Sequence, residues 1–176
     1  GWNASMRLRA RLTRRLTSLP DLMNHKGAFV VCDLPYGSGR CLEYLGTNHS
    51  IVLREHRCTY KAHNPEKNTL ARYRVDGCLL TTGIRCDYVI INANKRTVYF
   101  IELKGVDLVH GVRQIAESIS QLGAQVSSYN SINARIVLRR VQAPDLKSVE
   151  IIKLERRLRK RNGTFLKQAR CIEENV

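Results

Sequence analysis

The chain has 176 residues, of which 43% are apolar, and thirty Lys and Arg stand against fifteen Asp and Glu for a net charge of +15. That length suits one domain with a sizeable core and is too short for two, while the apolar content is enough for the chain to fold. The surplus charge points away from a small-metabolite enzyme and toward polyanionic partners, nucleic acid first and an acidic membrane surface second.

In chain order, residues 1–24 form a basic N-terminal helix or arm. Arg7, Arg9, Arg11, Arg14 and Arg15 accompany the helically spaced Leu8, Leu12 and Leu16. The stretch from Met6 to Pro20 is Arg-rich and free of acids, as a mitochondrial transit peptide would be, but a native start at Met6 and a cytoplasmic setting in a prokaryote or phage is the first reading. Gly27 to Leu34 is a buried-strand candidate, and no run approaches the roughly eighteen apolar residues of a membrane span, so no membrane passage is expected. Pro35 to Gly39 is a loop by composition, Arg40 to Leu45 a short helix, Ile51 to Lys61 a strand and Arg72 to Leu80 another, closed by Thr81-Thr82-Gly83.

The most informative segment follows. Cys86 to Ile91 and Thr97 to Gly105 are β-branched and aromatic runs around an Asn/Lys-rich turn, which predicts an antiparallel hairpin. A turn centred on Asn94 and Lys95 sets Ile91 opposite Val98 and Asp87 opposite Glu102. Opposed side chains share one side of a sheet at roughly 5 Å between Cβ atoms. Lys104, two residues beyond Glu102, shares that side because strand side chains alternate. Two carboxylates held so close repel unless a cation lies between them. With oxygen ligands and no matching His or Cys, Mg²⁺ or Mn²⁺ suits the site better than Zn²⁺. A metal there beside the Lys104 ammonium is equipment for phosphodiester hydrolysis.

Asp87 followed on the next strand by Glu102-Leu103-Lys104 resembles the active-site signature of the PD-(D/E)XK nuclease superfamily. The resemblance covers about residues 75 to 130 and implies an α/β fold, a central mixed β-sheet flanked by helices with a restriction-endonuclease-like core. It implies metal ligation by Asp87, Glu102 and the Leu103 carbonyl, and a water-assisting role for Lys104. The residue before Asp87 is Cys86 where the family commonly has Pro. Gln114 matches the accessory glutamine of RecB-type members, although Ser118 stands where their tyrosine would be. Glu43 and Glu55 are candidates for the extra glutamate some members supply from an early helix, and Asp76 for support from a neighbouring strand. Small members often pair, so a homodimer is an expectation by analogy.

From Asp107, a candidate N-cap, Leu108, Val112, Ile115, Ile119, Leu122 and Val126 mark the buried stripe of a helix of about five turns, whose positive end would point to the metal site. Ala134 to Val141 is a further strand. Asp145-Leu146-Lys147 repeats the acid-x-Lys pattern without an acidic partner strand and is read as a helix cap. The helix after it carries Lys153, Arg156, Arg157 and Lys160 beside Val149, Ile151, Leu154 and Leu158, and ends at Asn162-Gly163. A last strand runs from Thr164 to Cys171.

A single nuclease domain results, with residues 50–142 as the catalytic core and 145–176 as a basic helix plus final strand. Arg11, Arg14, Arg15, Lys153, Arg156, Arg157 and Lys160 are the candidate nucleic-acid-binding residues, tracking phosphates with DNA favoured over RNA. The six cysteines form no C-x-x-C pair and are expected as buried free thiols, with a zinc or iron-sulfur site at Cys32, Cys41 and Cys58 as the alternative. A nucleic-acid-binding protein on an inactive nuclease scaffold, a junction-resolving nuclease and a membrane-surface protein are the competing functions.

Overall fold

The computed structural model describes residues 40–140 and 148–176. The strands are β1 (Leu42–Gly46), β2 (Ser50–Glu55), β3 (Cys58–His63), β4 (Leu70–Arg74), β5 (Tyr88–Asn92), β6 (Thr97–Lys104), β7 (Ser131–Leu138), β8 (Phe165–Ala169) and β9 (Cys171–Asn175); the helices are α1 (Leu108–Gln121) and α2 (Val149–Arg159). The fold is α/β. A mixed six-stranded sheet runs β1-β4-β5-β6-β7-β8, and a second sheet of three strands runs β2-β3-β9. Strands β4, β5 and β6 form an antiparallel meander, and β7 and β8 then add in parallel through the crossovers that α1 and α2 provide.

Strand β6 is the spine. It is hydrogen-bonded on both edges, and only its last residue, Lys104, is less than fully buried. On one side Tyr99, Ile101 and Leu103 pack with Ile51, Leu53, Tyr60 and Ile172 in the core between the two sheets. The opposite side, with Glu102, faces α1: a Cβ on Gly111 would lie 3.5 Å from Glu102 Cγ and 3.3 Å from Ile136 Cδ1. Glycine at position 111 thus lets the helix come down close over the buried carboxylate.

Asp107 caps α1 by accepting from the His110 N–H at 2.8 Å, as the sequence predicts. The helix stops at Gln121, about one turn short of the predicted stripe, and Leu122 and Val126 are buried in the turns beyond it. Ser148, not Asp145, caps α2; residues 145–147, like the basic arm with Arg11, Arg14 and Arg15, lie outside the described residues. Helix α2 buries Ile151, Leu154 and Leu158 but leaves Val149 60% and Ile152 50% exposed, which corrects the expected apolar stripe.

Other expectations are corrected as well. Arg40 to Leu45 is not helical, because Leu42–Gly46 pairs with β4. The single strand expected over Ile51 to Lys61 is the hairpin of β2 and β3, and that expected over Thr164 to Cys171 is two strands broken at Arg170, whose φ is +67°. Strand β8 stays in the large sheet, while β9 crosses to lie parallel to β3.

Not all cysteines are free. Cys41 and Cys78 form a disulfide with Cα atoms 5.5 Å apart, which also removes Cys41 from any zinc site with Cys58. Cys58, Cys86 and Cys171 are free thiols, the first two buried, and Cys32 lies outside the described residues. The bridge closes a loop over a sequence separation of 37. By chain entropy that loop contributes about 4 kcal/mol, so dithiothreitol should lower the urea midpoint by that equivalent in the wild type and leave Cys41→Ser/Cys78→Ser unmoved.

Candidate active site

The predicted register holds. Ile91 pairs with Val98 and Tyr88 with Ile101, which continues the hairpin to Asp87 opposite Glu102. Asp87 lies just before β5, where the pairing gives way to reciprocal hydrogen bonds. The Leu103 N–H donates to Asp87 Oδ2 at 2.7 Å, and the Asp87 N–H donates to Glu102 Oε2 at 3.1 Å. Each carboxylate is therefore oriented by the backbone of the opposite strand. One oxygen of each is used in this way, and the second oxygen of Glu102, Oε1, faces Lys104.

Lys104 reaches back along β6, with Nζ 3.6 Å from Glu102 Oε1. From α1, Gln114 donates to the Arg85 carbonyl at 2.8 Å, and its own Oε1 is buried without a hydrogen-bond partner. One turn on, the buried Ser118 hydroxyl accepts from the Cys86 N–H and donates to the Gln114 carbonyl, both at 2.9 Å. The position where a tyrosine was the family expectation instead fixes the backbone that carries Asp87.

Asp87, Glu102, Leu103, Lys104 and Gln114 line one open cavity of about 710 Å³. All the residues expected to do chemistry are thus brought together. Asp76 and Glu55 line it too, Asp76 paired with Arg85. Glu43 does not; it pairs with Arg72 and Arg74 on β4. Glu55 arrives from a hairpin, not from an early helix. No residue of the first turn of α1 lines the cavity, so the helix meets it through Gln114 rather than by its positive end.

Burial dominates the electrostatics. Glu102 is only 1% exposed. Its carboxyl is pushed up to about 8, first by burial and next by the neighbouring Asp87 charge, with Lys104 pulling the other way. Asp87 is pushed up to about 6 by burial, against the donation from the Leu103 N–H. Two carboxylates forced together in a poorly solvated place are short of positive charge, and one ammonium at 3.6 Å does not make it good. Among the described residues no three His, Cys, Asp or Glu side chains are grouped to hold a metal. A bound ion would then rest on two carboxylates plus main-chain and water oxygens, a set that suits Mg²⁺, which keeps much of its water.

The expected basic residues are elsewhere. Lys153 and Arg156 on α2 and Lys160 at its C-cap are exposed, and none lines the cavity; Arg156, Arg159 and Lys160 border a separate hollow with Ile152. Arg157, half-buried, is spent on α1, donating to the Ala116 carbonyl and the Ser120 hydroxyl. Among the described residues the basic rim of the cavity is one that sequence reading missed: His56 and Arg57 on the β2–β3 turn and Arg139 at the end of β7. One signal was available for the turn. Apolar residues occupy odd positions at Ile51 and Leu53 and even positions at Cys58, Tyr60 and Ala62, and a two-residue hairpin turn imposes that change of phase. For Arg139 the sequence offers none.

Comparison with protein-family models, with curated proteins and with solved structures gives no match for this chain.

Proposed function

We propose that this protein is a Mg²⁺-dependent nuclease that hydrolyses phosphodiester bonds, DNA ahead of RNA, with a site of the PD-(D/E)XK kind. The observation that carries the reading is the reciprocal clasp of Asp87 and Glu102, two buried carboxylates with raised proton affinity at the wall of an open cavity, with Lys104 alongside. A purely structural pair would be expected to find its counter-charge within the fold.

Asp87 Oδ1 and Glu102 Oε1, the latter now facing Lys104, are with the Leu103 carbonyl the atoms that would hold the ion. When bound, a divalent cation supplies Lewis-acid polarisation of a phosphoryl oxygen and acidifies a water. The chain's own contribution is orientation and charge. The backbone bonds to Asp87 and Glu102 fix both carboxylates before substrate arrives, so that little reorganisation accompanies reaction. Lys104, kept near Glu102, presents an ammonium to an attacking water and to the negative charge that develops on phosphate. Gln114 helps to position Asp87 by holding the Arg85 carbonyl.

The test is incubation with supercoiled plasmid, linear duplex, single-stranded DNA and RNA, in Mg²⁺ or EDTA. Cleavage of DNA in Mg²⁺, abolished by EDTA, is the expected result. No cleavage of any substrate, or cleavage indifferent to EDTA, would remove the proposal.

A further inference from the structure

Building on the nuclease reading, we propose that Arg57 and Arg139 form a two-armed clamp for the phosphates on either side of the scissile one, so that the substrate is a polynucleotide backbone rather than an isolated phosphodiester. The two residues come from different sheets and converge on one short stretch of chain. Strand β3 begins at Cys58, whose buried Sγ lies 3.3 Å from the Lys104 carbonyl and pins the His56-Arg57 turn over the end of β6. Across that end, the Arg139 N–H donates to the Gly105 carbonyl at 2.8 Å. Arg57 and Arg139 therefore flank Lys104-Gly105, beside the carboxylates, and both line the cavity.

Their charges are unspent. Of the other basic side chains in the cavity wall, Lys104 faces Glu102 at 3.6 Å and His56 faces Glu55 at 3.3 Å. Elsewhere Arg74, Arg85, Arg113 and Arg135 have carboxylates, and Arg96, Arg157 and Arg161 donate to backbone carbonyls. Arg57 and Arg139 are exposed and have neither kind of partner among the described residues. A cavity that also holds Glu55, Asp76, Asp87 and Glu102 would repel a polyanion unless cations at its rim met the incoming phosphates. Guanidinium is the group suited to that task, because its planar fork matches phosphate oxygens two at a time. The turn also carries strain. His56 and Arg57 have φ of +49° and +64°, the left-handed pair of a type I′ turn that Asn-Gly would adopt freely.

The test is anisotropy of a fluorescein-labelled DNA duplex, with a labelled RNA arm, titrated with the full chain in EDTA over a range of salt, for wild type, Arg57→Ala, Arg139→Ala and Arg57→Lys. Each alanine variant should weaken Kd about tenfold and reduce the slope of log Kd against log salt by about one. Arg57→Lys should restore the slope but only part of the affinity. In cleavage assays with Mg²⁺ the loss should fall on KM rather than kcat. Because both side chains are exposed, thermal melts should match wild type and exclude misfolding. Unchanged Kd and salt slope in both alanine variants would overturn the clamp whatever the cleavage assay returns. A wild-type protein that binds through these arginines and never cleaves would instead overturn the nuclease reading and leave phosphate binding standing.

Discussion

Glu102→Gln should lower Mg²⁺-dependent cleavage by about a thousandfold or more while making the metal-free protein more stable at pH 8, two effects of opposite sign from one substitution. Glutamine keeps the shape and can still accept from the Asp87 N–H, but it cannot supply the charge that a cation needs. The stability gain follows from the raised proton affinities. Asp87 rises to about 6 and Glu102 to about 8, from ordinary values of 3.8 and 4.5. The folded state therefore binds more protons than the unfolded state as pH rises from about 4 to about 8, and stability without metal falls through that window. Removing the Glu102 charge recovers on the order of 2 kcal/mol at pH 8, roughly 4–8 °C in Tm, and nothing near pH 4 where the group is already protonated. Mg²⁺ should raise the wild-type Tm more at pH 8 than at pH 5, and barely move the variant. Scanning calorimetry with and without EDTA reads all of this. A variant that cleaves like wild type, or one less stable than wild type at pH 8 in EDTA, would remove the two-carboxylate site.

Gly163→Ala should cost about 4 kcal/mol or more, the largest loss of stability expected from a single added methyl group among the described residues. A Cβ at that position would lie 1.7 Å from the Ile132 carbonyl oxygen and 2.6 Å from its carbon, inside β7. Neither side can yield. Gly163 closes α2 through its N–H to the Leu158 carbonyl at 2.9 Å, and the next residue donates to Asn133 Oδ1 at 2.9 Å. β7 is held between β6 and β8. Asn162 next to it, at φ +49°, is the control, since Asn162→Gly relaxes that backbone and should stay within about 0.5 kcal/mol of wild type. Urea unfolding measures both; an alanine variant within about 1 kcal/mol of wild type would mean that the helix end moves off β7 with ease.

The site was legible because it sits on the most regular part of the chain. From Tyr88 to Lys104 the apolar runs and the polar turn leave one sensible register, and that register alone sets Asp87 opposite Glu102. The cap of α1 was legible for the same local reason. Features made by distant partners were not. Leu42–Gly46 has no strong preference of its own and is a strand because β4 offers an edge. Cysteine spacing cannot choose the bridge between Cys41 and Cys78. The rim was hidden for a related reason: Arg57 and Arg139 are 82 positions apart, and only the packing of the small sheet against β6 and the pairing of β6 with β7 bring them to one cavity.

The parallel pairing of β9 with β3 ties the order of synthesis to the completion of the small sheet beside the cavity. The Thr59 N–H donates to the Arg170 carbonyl at 2.8 Å, and Thr59 to His63 then run alongside Cys171 to Asn175. The β2–β3 hairpin, translated early, gains its third strand only when the chain beyond residue 170 has left the ribosome. A nascent chain halted before that point carries Asp87, Glu102 and Lys104 but only two of the three strands of the small sheet. Such long-range closure is slow to form, so the β2–β3 wall of the cavity would be completed late in folding.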